Sequence, residues 1–197
     1  MKIPLVGQAY VARSLNLASQ QCVNLYPVRS EVSNEISALY GTPGLRKLTT
    51  LPNTGGCRGG WMPSSGRAIV VQGDKVYRVD GAYNYVQCAG TLLTNTGYVS
   101  ISDNGTIAVL VDGANGYTLD LQTSVITRII SDGFYGADRV GFISGVFVFN
   151  KPDTQVFYWS DLYSSNTDPL NFASAEGSPD LLVSLLVDHQ EVWLFGT

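Results

Sequence analysis

Residues 139–150 read Arg-Val-Gly-Phe-Ile-Ser-Gly-Val-Phe-Val-Phe-Asn, and they carry the clearest structural signal in the chain. Two runs rich in β-branched and aromatic residues, Arg139–Ile143 and Val146–Asn150, flank the pair Ser144-Gly145. Such runs favour β-strands, and a Ser-Gly or Asn-Gly pair supplies the positive φ angles that a two-residue hairpin loop needs. The stretch therefore predicts an antiparallel β-hairpin.

The same pattern recurs along the chain. Comparable β-like runs begin near Cys57, Tyr98, Arg139 and Leu181, which are spaced by 41, 41 and 42 residues. A period of about 40–45 residues with four short strands is typical of a β-propeller blade. The last period contains only two of its strands before Thr197. The sequence therefore predicts an all-β protein with four-stranded propeller blades in an incomplete ring.

The regular pattern begins at residue 57. Residues 1–56 are irregular, with short extended pieces, and residues 57–197 are predicted to form about three and a half blades. A β-sandwich has similar strand spacing and is the alternative fold, but the 41-residue recurrence favours the propeller. The predicted strands are Arg58–Met62, Ala68–Gln72, Lys75–Val79 and Tyr83–Cys88; Tyr98–Ser102, Thr106–Val111, Tyr117–Leu121 and Val125–Ile130; Arg139–Ile143, Val146–Asn150, Gln155–Ser160 and Leu170–Ser174; and Leu182–Val187 and Glu191–Phe195.

Composition and charge argue against several classes of function. The chain is 45% hydrophobic and 14% charged, with a formal net charge of −4 and no cluster of Lys and Arg. Proteins that bind nucleic acids through their phosphates usually carry a basic face, so direct sequence-specific nucleic-acid binding is not expected. Leu181–Val187, among the longest apolar runs, is far shorter than the roughly 20 residues that span a membrane, so no membrane association is expected.

No motif predicts a catalytic, cofactor or metal site. Three scattered cysteines without Cys-x-x-Cys spacing indicate neither a disulfide framework nor a zinc site. His189 is the only histidine, and it lies in a predicted turn, where a solvated polar residue is ordinary. The Asp-Gly and Asn-Gly turns lack the alternating ligands of a calcium loop. Gly55–Gly60 lacks the Gly-Lys-Ser/Thr ending of a phosphate-binding loop.

One group of acidic residues on loops is the only constellation that suggests catalysis. Asp161, Asp168, Glu176 and Asp180 lie late in the third period, and propeller glycosidases use paired carboxylates. Acidic loop residues more often cap turns or remain solvated. We therefore assign these four residues to loop geometry, and a propeller glycosidase acting on carbohydrate remains a rival interpretation.

Aromatic residues on predicted loops are candidate contacts for other proteins. Phe134, Tyr135 and Tyr163 lie outside the predicted strands, and aromatic residues are enriched in protein interfaces. Packing between blades is the alternative role for such residues. We predict a protein interface that includes these three residues; a carbohydrate- or receptor-binding module of a virion is a second rival.

Six segments, in order along nearly the whole chain, together resemble one protein family. The segments are Asn24–Val28, Gly41–Leu45, Gly133–Phe142, Tyr158–Leu162, Phe172–Asp180 and Glu191–Gly196. The set resembles the packaged-DNA stabilisation protein of short-tailed, P22-like bacteriophages and related prophages.

The resemblance implies a tail accessory factor without enzymatic activity. It implies a homo-oligomeric ring below the portal that acts as a hub for the tail needle and tailspikes and retains the packaged DNA. The implied partners are other tail proteins, namely the portal-adaptor, the tail needle and the tailspike. The implied location is the virion tail, after synthesis in the host bacterial cytoplasm. A net acidic chain agrees with DNA retention by mechanical closure rather than by gripping phosphates.

Overall fold

The computed structural model describes residues 24–29, 36–175, 177 and 180–197, and the chain divides into two compact units, Met1–Lys47 and Leu48–Thr197. In the first unit, strands β1 (Leu25–Arg29) and β2 (Ile36–Gly41) form an antiparallel pair. The rings of Tyr26 and Tyr40 lie opposite each other in this pair and stack at 6.1 Å.

The second unit consists of antiparallel sheets in which each strand pairs with its neighbours in sequence. Three sheets have four strands and the fourth has two; we number them blades 1 to 4. Blade 1 contains β3 (Cys57–Trp61), β4 (Ala68–Gln72), β5 (Lys75–Val79) and β6 (Tyr85–Gln87); blade 2 contains β7 (Ser100–Asp103), β8 (Ile107–Val111), β9 (Gly116–Asp120) and β10 (Ile126–Arg128); blade 3 contains β11 (Val140–Ile143), β12 (Val146–Asn150), β13 (Val156–Ser160) and β14 (Thr167–Ser174); blade 4 contains β15 (Leu182–Asp188) and β16 (Glu191–Gly196).

The blades of this unit stack side by side in an arc. The first strand of each blade contacts the first strand of the next, so β3, β7, β11 and β15 follow one another along the inner side. Among the described residues, no further sheet follows blade 4, and the arc does not close. This arrangement confirms the predicted propeller with an incomplete ring. The sandwich alternative is wrong, because its strands would form two facing layers rather than consecutive four-stranded sheets.

The predicted strands agree closely with the observed ones, and β14 shows the clearest difference. It begins at Thr167 rather than at the predicted Leu170 and includes Pro169. Proline has no N–H to donate and is therefore confined to strand edges and bulges. β14 is the outer edge of blade 3, and its register shifts where it pairs with Tyr158–Ser160. An outer strand with a bulge can therefore accommodate this proline.

Two-residue turns of the type that requires positive φ at both positions connect the first two strands of blades 3 and 4. In blade 3 the turn is Ser144 (φ 50°) and Gly145 (φ 91°). In blade 4 it is His189 (φ 47°) and Gln190 (φ 65°), two residues with side chains that disfavour the left-handed region. The blade 4 turn is therefore strained relative to an Asn-Gly turn.

Replacing His189-Gln190 by Asn-Gly is expected to stabilise the protein by about 1 kcal/mol, because both new residues tolerate positive φ. Urea unfolding should show a higher midpoint with an unchanged slope. The reverse exchange, Ser144-Gly145 to His-Gln, should lower the midpoint by a similar amount. An unchanged midpoint in both variants would contradict the strain assigned to the blade 4 turn.

The two main apolar clusters lie between consecutive blades, and β8 contributes to both. Its residues Ala108 and Leu110 pack in the cluster shared with blade 1, whereas Val109 and Val111 pack in the cluster shared with blade 3. All four side chains are fully buried. A strand with both faces covered is expected to be an uninterrupted apolar run rather than an alternating one, which explains the composition of Ile107–Val111.

A buried tyrosine recurs in the third strand of each four-stranded blade. Tyr77, Tyr117 and Tyr158 are each 1% exposed. The Tyr117 hydroxyl accepts a hydrogen bond from the backbone N–H of Leu93 (2.8 Å), and the Tyr158 hydroxyl donates to the carbonyl oxygen of Gly136 (2.7 Å). Burial raises the pKa of both phenols. In blades 2 and 3 this tyrosine therefore holds the linker that leads into its own blade.

The side chain of Arg58 joins blade 1 to blade 2. Its guanidinium group donates to the carbonyl oxygens of Gly73 (2.9 Å), Thr94 (2.7 Å) and Gly97 (2.9 Å). It also lies 3.9 Å from the carboxylate of Asp112, and the two side chains are 3% and 0% exposed. The Thr94 hydroxyl accepts a hydrogen bond from the guanidinium group and donates one to this carboxylate. Thr94 therefore links the two charged groups in addition to their direct ion pair.

Candidate protein-interaction surface

The linker between blades 2 and 3 runs directly against the start of β14. The hydroxyls of Ser131 and Thr167 are 2.8 Å apart, and the backbone N–H of Thr167 donates to the Ser131 hydroxyl. A Cβ atom at Gly133 would lie 2.5 Å from the carbonyl carbon of Asp168. The linker therefore packs on β14 at a distance that only glycine allows.

Phe134 anchors this linker between the two blades. Its ring packs edge-on against Phe149 at 5.8 Å and against Tyr158 at 6.2 Å. Gly116 provides the space, since a Cβ atom there would lie 2.4 Å from the Phe134 ring. The side chain is half-buried and belongs to the cluster between blades 2 and 3. The structure therefore places Phe134 mainly in the packing between blades.

The next residue, Tyr135, points to the surface. Its ring packs edge-on against Tyr158 at 5.5 Å and remains 40% exposed. The ammonium group of Lys151 lies 4.4 Å from the centre of the ring, within the range of a cation–π interaction. The Tyr135 hydroxyl donates a long hydrogen bond to the carbonyl oxygen of Pro169 (3.4 Å). These contacts position the ring without covering it.

Together, the linker and β14 present an exposed apolar surface, which we call the rim patch. Its members are four large apolar residues: Ile130 (83% exposed) and Tyr135 (40%) in the linker, and Leu170 (82%) and Phe172 (52%) in β14. Ile130 adjoins the Ser131–Thr167 contact, and Phe172 pairs with Tyr158 in the sheet. The four side chains lie on two segments that contact each other, and exposed apolar side chains concentrated on one part of a surface commonly mark a protein contact.

Tyr163, the third residue of the predicted interface, lies at the opposite end of blade 3. Its backbone N–H donates to the carbonyl oxygen of Gly145 (2.6 Å), in the turn that precedes β12. Tyr135 instead lies beside Lys151, which follows β12. Tyr163 is 72% exposed, and Leu162 beside it is 69% exposed. The structure therefore brings Phe134 and Tyr135 together and separates Tyr163 from them.

The acidic loop residues that are described lie in separate local environments. Asp161 begins the loop that carries Tyr163, and the carboxylate of Asp168 accepts the backbone N–H of Leu170 (2.8 Å). Asp180 packs against Gly196 in blade 4. Glu176 lies outside the described residues. Asp168 thus caps a bend within β14. It lies in this strand and not on a loop as predicted, because β14 begins at Thr167.

The remaining polar candidate residues also lie in separate local environments. The His189 side chain is 91% exposed, with Nδ1 2.9 Å from a carboxylate oxygen of Asp188. Cys57 is exposed and Cys88 is buried, and both are free thiols; burial raises the pKa of Cys88 to about 11. Cys22 lies outside the described residues. In the part of the chain that the structure describes, no three His, Cys, Asp or Glu side chains group as metal ligands. No helix in that part is long and apolar enough to cross a membrane.

Consecutive four-stranded antiparallel blades whose first strands follow one another along the inner side are the architecture of a β-propeller. The chain belongs to the phage stabilisation family described as bacteriophage P22 Gp10, beta-propeller, whose model matches residues 1–197. The predicted family is thereby confirmed. The description of this family names the β-propeller fold that the blades of this chain show.

Solved structures show the same fold at low sequence identity. A structure described as YCF48 bound to D1 peptide superimposes with a TM-score of 0.54 at 16% identity, over 81% of this chain and 51% of that one. Virginiamycin B lyase from Staphylococcus aureus has a TM-score of 0.51 at 12% identity, over 88% and 63%. The chain thus spans about half to two thirds of the length of these proteins. No curated protein matches the chain.

Sequence reasoning missed three of the four members of the rim patch. Leu170 and Phe172 lie in a predicted strand, and Ile130 lies at the end of another, so the sequence pattern does not predict them as interface residues. One signal in the sequence does point to exposed residues in this strand. Pro169, directly before Leu170, is typical of an edge strand.

Proposed function

We propose that this chain is a structural component of a phage tail, acting as part of a hub below the portal that retains packaged DNA and docks other tail proteins. The observation that carries the proposal is the family match over the entire chain. The finer assignments, namely the portal-adaptor, needle and tailspike as partners, assembly as a ring and location in the tail, rest on this family role.

The surface chemistry supports docking of proteins rather than binding of DNA. The rim patch exposes four large apolar side chains, and Lys151 is engaged with the face of Tyr135. Two of the basic side chains, Arg58 and Arg78, are buried between blades, where they donate to backbone carbonyl oxygens. A surface that binds phosphates needs exposed cations, whereas a protein interface needs apolar anchors.

The direct test compares phage particles made with and without this protein. We expect the protein in mature particles, and we expect particles assembled without it to package DNA and then lose it. Retention of DNA in its absence would overturn the proposal. Release of sugars from host polysaccharide by the purified protein would favour the glycosidase rival.

The rim patch gives a sharper prediction. Leu170→Asp should weaken binding to isolated tail proteins by roughly tenfold or more, since a charge at an apolar contact loses at least about 1.4 kcal/mol. Leu162→Asp, at a comparably exposed position (69% against 82%) at the other end of blade 3, is the matched control and should bind normally. Both should melt like the parent. Equal binding by both variants would assign docking to another surface.

A further inference from the structure

The outer edge of blade 3 is longer than the outer edges of blades 1 and 2. Its strand β14 has eight residues, whereas β6 and β10 have three each. Proteins usually shorten an exposed edge strand or place charges or proline on it, because its unpaired backbone groups can pair with another chain. In β14 such residues, Asp168 and Pro169, stand only near the beginning, and the stretch from Leu170 to Ser174 is uncharged.

The backbone groups of Phe172 and Ser174 point away from the sheet. Ser174 lies opposite Val156, whose carbonyl oxygen accepts from the backbone N–H of Lys151 (2.9 Å) on the other side of β13. Opposite residues in an antiparallel pair exchange both backbone hydrogen bonds or neither. Ser174, and Phe172 two residues before it, therefore direct N–H and C=O to the open edge. In the described part of the chain, no other strand or loop bonds to these groups.

The corresponding edge of blade 2 is already paired with an extended segment. In the linker between blades 1 and 2, Ala89 forms a parallel bridge with Val125, directly before β10. The N–H of Ala89 donates to the carbonyl oxygen of Ser124 (2.9 Å), and its own carbonyl oxygen accepts from Ile126 (2.8 Å). In blade 3, the hydrogen bonds between the described linker residues and β14 involve only the beginning of that strand. The rest of its edge lacks such a segment.

The side chains beside this open edge favour an apolar partner. Phe172 lies opposite Tyr158 in the sheet, and the ring of Tyr135 packs on Tyr158, so the three rings lie on one side of blade 3. A strand added next to β14 places every second side chain on that side. Peptides that add to a sheet edge gain affinity from backbone hydrogen bonds and specificity from these alternate side chains.

We propose that β14 accepts an extended segment of another tail protein as a fifth strand of blade 3, with an apolar residue at every second position of that segment. The backbone groups of Phe172 and Ser174 bind it, because an extended polypeptide presents N–H and C=O groups at the same spacing as the edge. This inference rests on the proposed function, which supplies the class of partner, and it specifies how that partner is held.

Ser174→Pro tests the backbone pairing without altering the rim patch. Proline removes an outward N–H and its ring obstructs an approaching strand, whereas no hydrogen bond to β13 is lost. Calorimetry with the isolated portal-adaptor, tail needle and tailspike should find one that binds the parent chain and binds this variant roughly tenfold or more weakly. Ser174→Ala keeps the N–H and is the matched control, which should bind like the parent. Normal binding by Ser174→Pro would overturn the inference and leave docking through the rim patch intact.

Amide hydrogen exchange of the unaltered protein gives an independent measurement. In the protein alone, the amides of Phe172 and Ser174 should exchange rapidly, whereas the amide of Ala173, which faces β13, should exchange slowly. Binding of the partner should slow the first two. Unchanged exchange in the complex would overturn the inference. Slow exchange in the protein alone would also overturn it, because the edge would then be paired within the chain or with a second copy. A parent chain that binds none of the three tail proteins would overturn both this inference and the proposed docking role.

Discussion

Replacing Arg58 by alanine is expected to lower the free energy of unfolding by roughly 3–5 kcal/mol, the largest loss for any single exchange we consider. The substitution removes the donors to Gly73, Thr94 and Gly97, and it leaves the carboxylate of Asp112 buried without its cation. Removing one partner of a buried pair costs more than the pair itself contributes, because an uncompensated charge then remains inside the protein.

Urea unfolding of the Arg58→Ala variant measures this loss, with Arg67→Ala as the matched control at an exposed position of blade 1. The control should change the unfolding free energy by about 0.5 kcal/mol or less. The double variant Arg58→Met with Asp112→Leu separates the two contributions, since it removes both charges. We expect it to be more stable than Arg58→Ala. A double variant less stable than Arg58→Ala would show that most of the loss in Arg58→Ala comes from the missing hydrogen bonds to carbonyl oxygens, and not from the unpaired carboxylate.

Gly59→Ala is expected to have the second largest effect, a loss of about 2–3 kcal/mol from overpacking. Its Cβ atom would lie 2.3 Å from the carbonyl oxygen of Val99, which belongs to the backbone leading into blade 2. A backbone atom cannot rotate away as a side chain can, so relief requires blades 1 and 2 to move apart. That movement would loosen the apolar cluster they share, which includes Val71 and Val99.

The neighbouring glycine is a close control for this prediction. Gly60 lies on the same strand, and its nearest contact for a Cβ atom is an ordinary 3.8 Å. Gly60→Ala should therefore be neutral or slightly stabilising, because alanine restricts the unfolded chain more than glycine does. Thermal unfolding of the two variants distinguishes a steric cause from a general loss of glycine flexibility. Equal destabilisation by both exchanges would exclude the steric explanation.

The strands and their order were predictable because the signals that specify them are local. Runs rich in β-branched and aromatic residues, such as Ala68–Gln72, Lys75–Val79 and Val146–Asn150, have the bounds expected from their composition and flanking turns. The Ser144-Gly145 turn has the positive φ angles that its residues favour. The period of about 41 residues then identified the blades, since each blade repeats the same local sequence of strands and turns.

The surface was harder to predict because it depends on contacts between blades. The half-buried position of Phe134 depends on the absence of a side chain at Gly116, which no local pattern reveals. The exposure of Leu170 follows from its place in β14, the outer strand of blade 3. The recurrence of Tyr77, Tyr117 and Tyr158 at intervals of 40 and 41 residues was a readable sign of which strand face points toward the preceding blade.

The pairing of every strand with its immediate neighbours in sequence has a consequence for biosynthesis. Hairpin contacts close short loops, so they form quickly and can form once a short segment of the chain is available. A ribosome delivers about 5–20 residues per second, so each sheet can assemble soon after its own residues emerge, before the next period is translated. The apolar face of each sheet then stays exposed only until the neighbouring sheet forms. This limits the time during which the nascent protein is prone to aggregate.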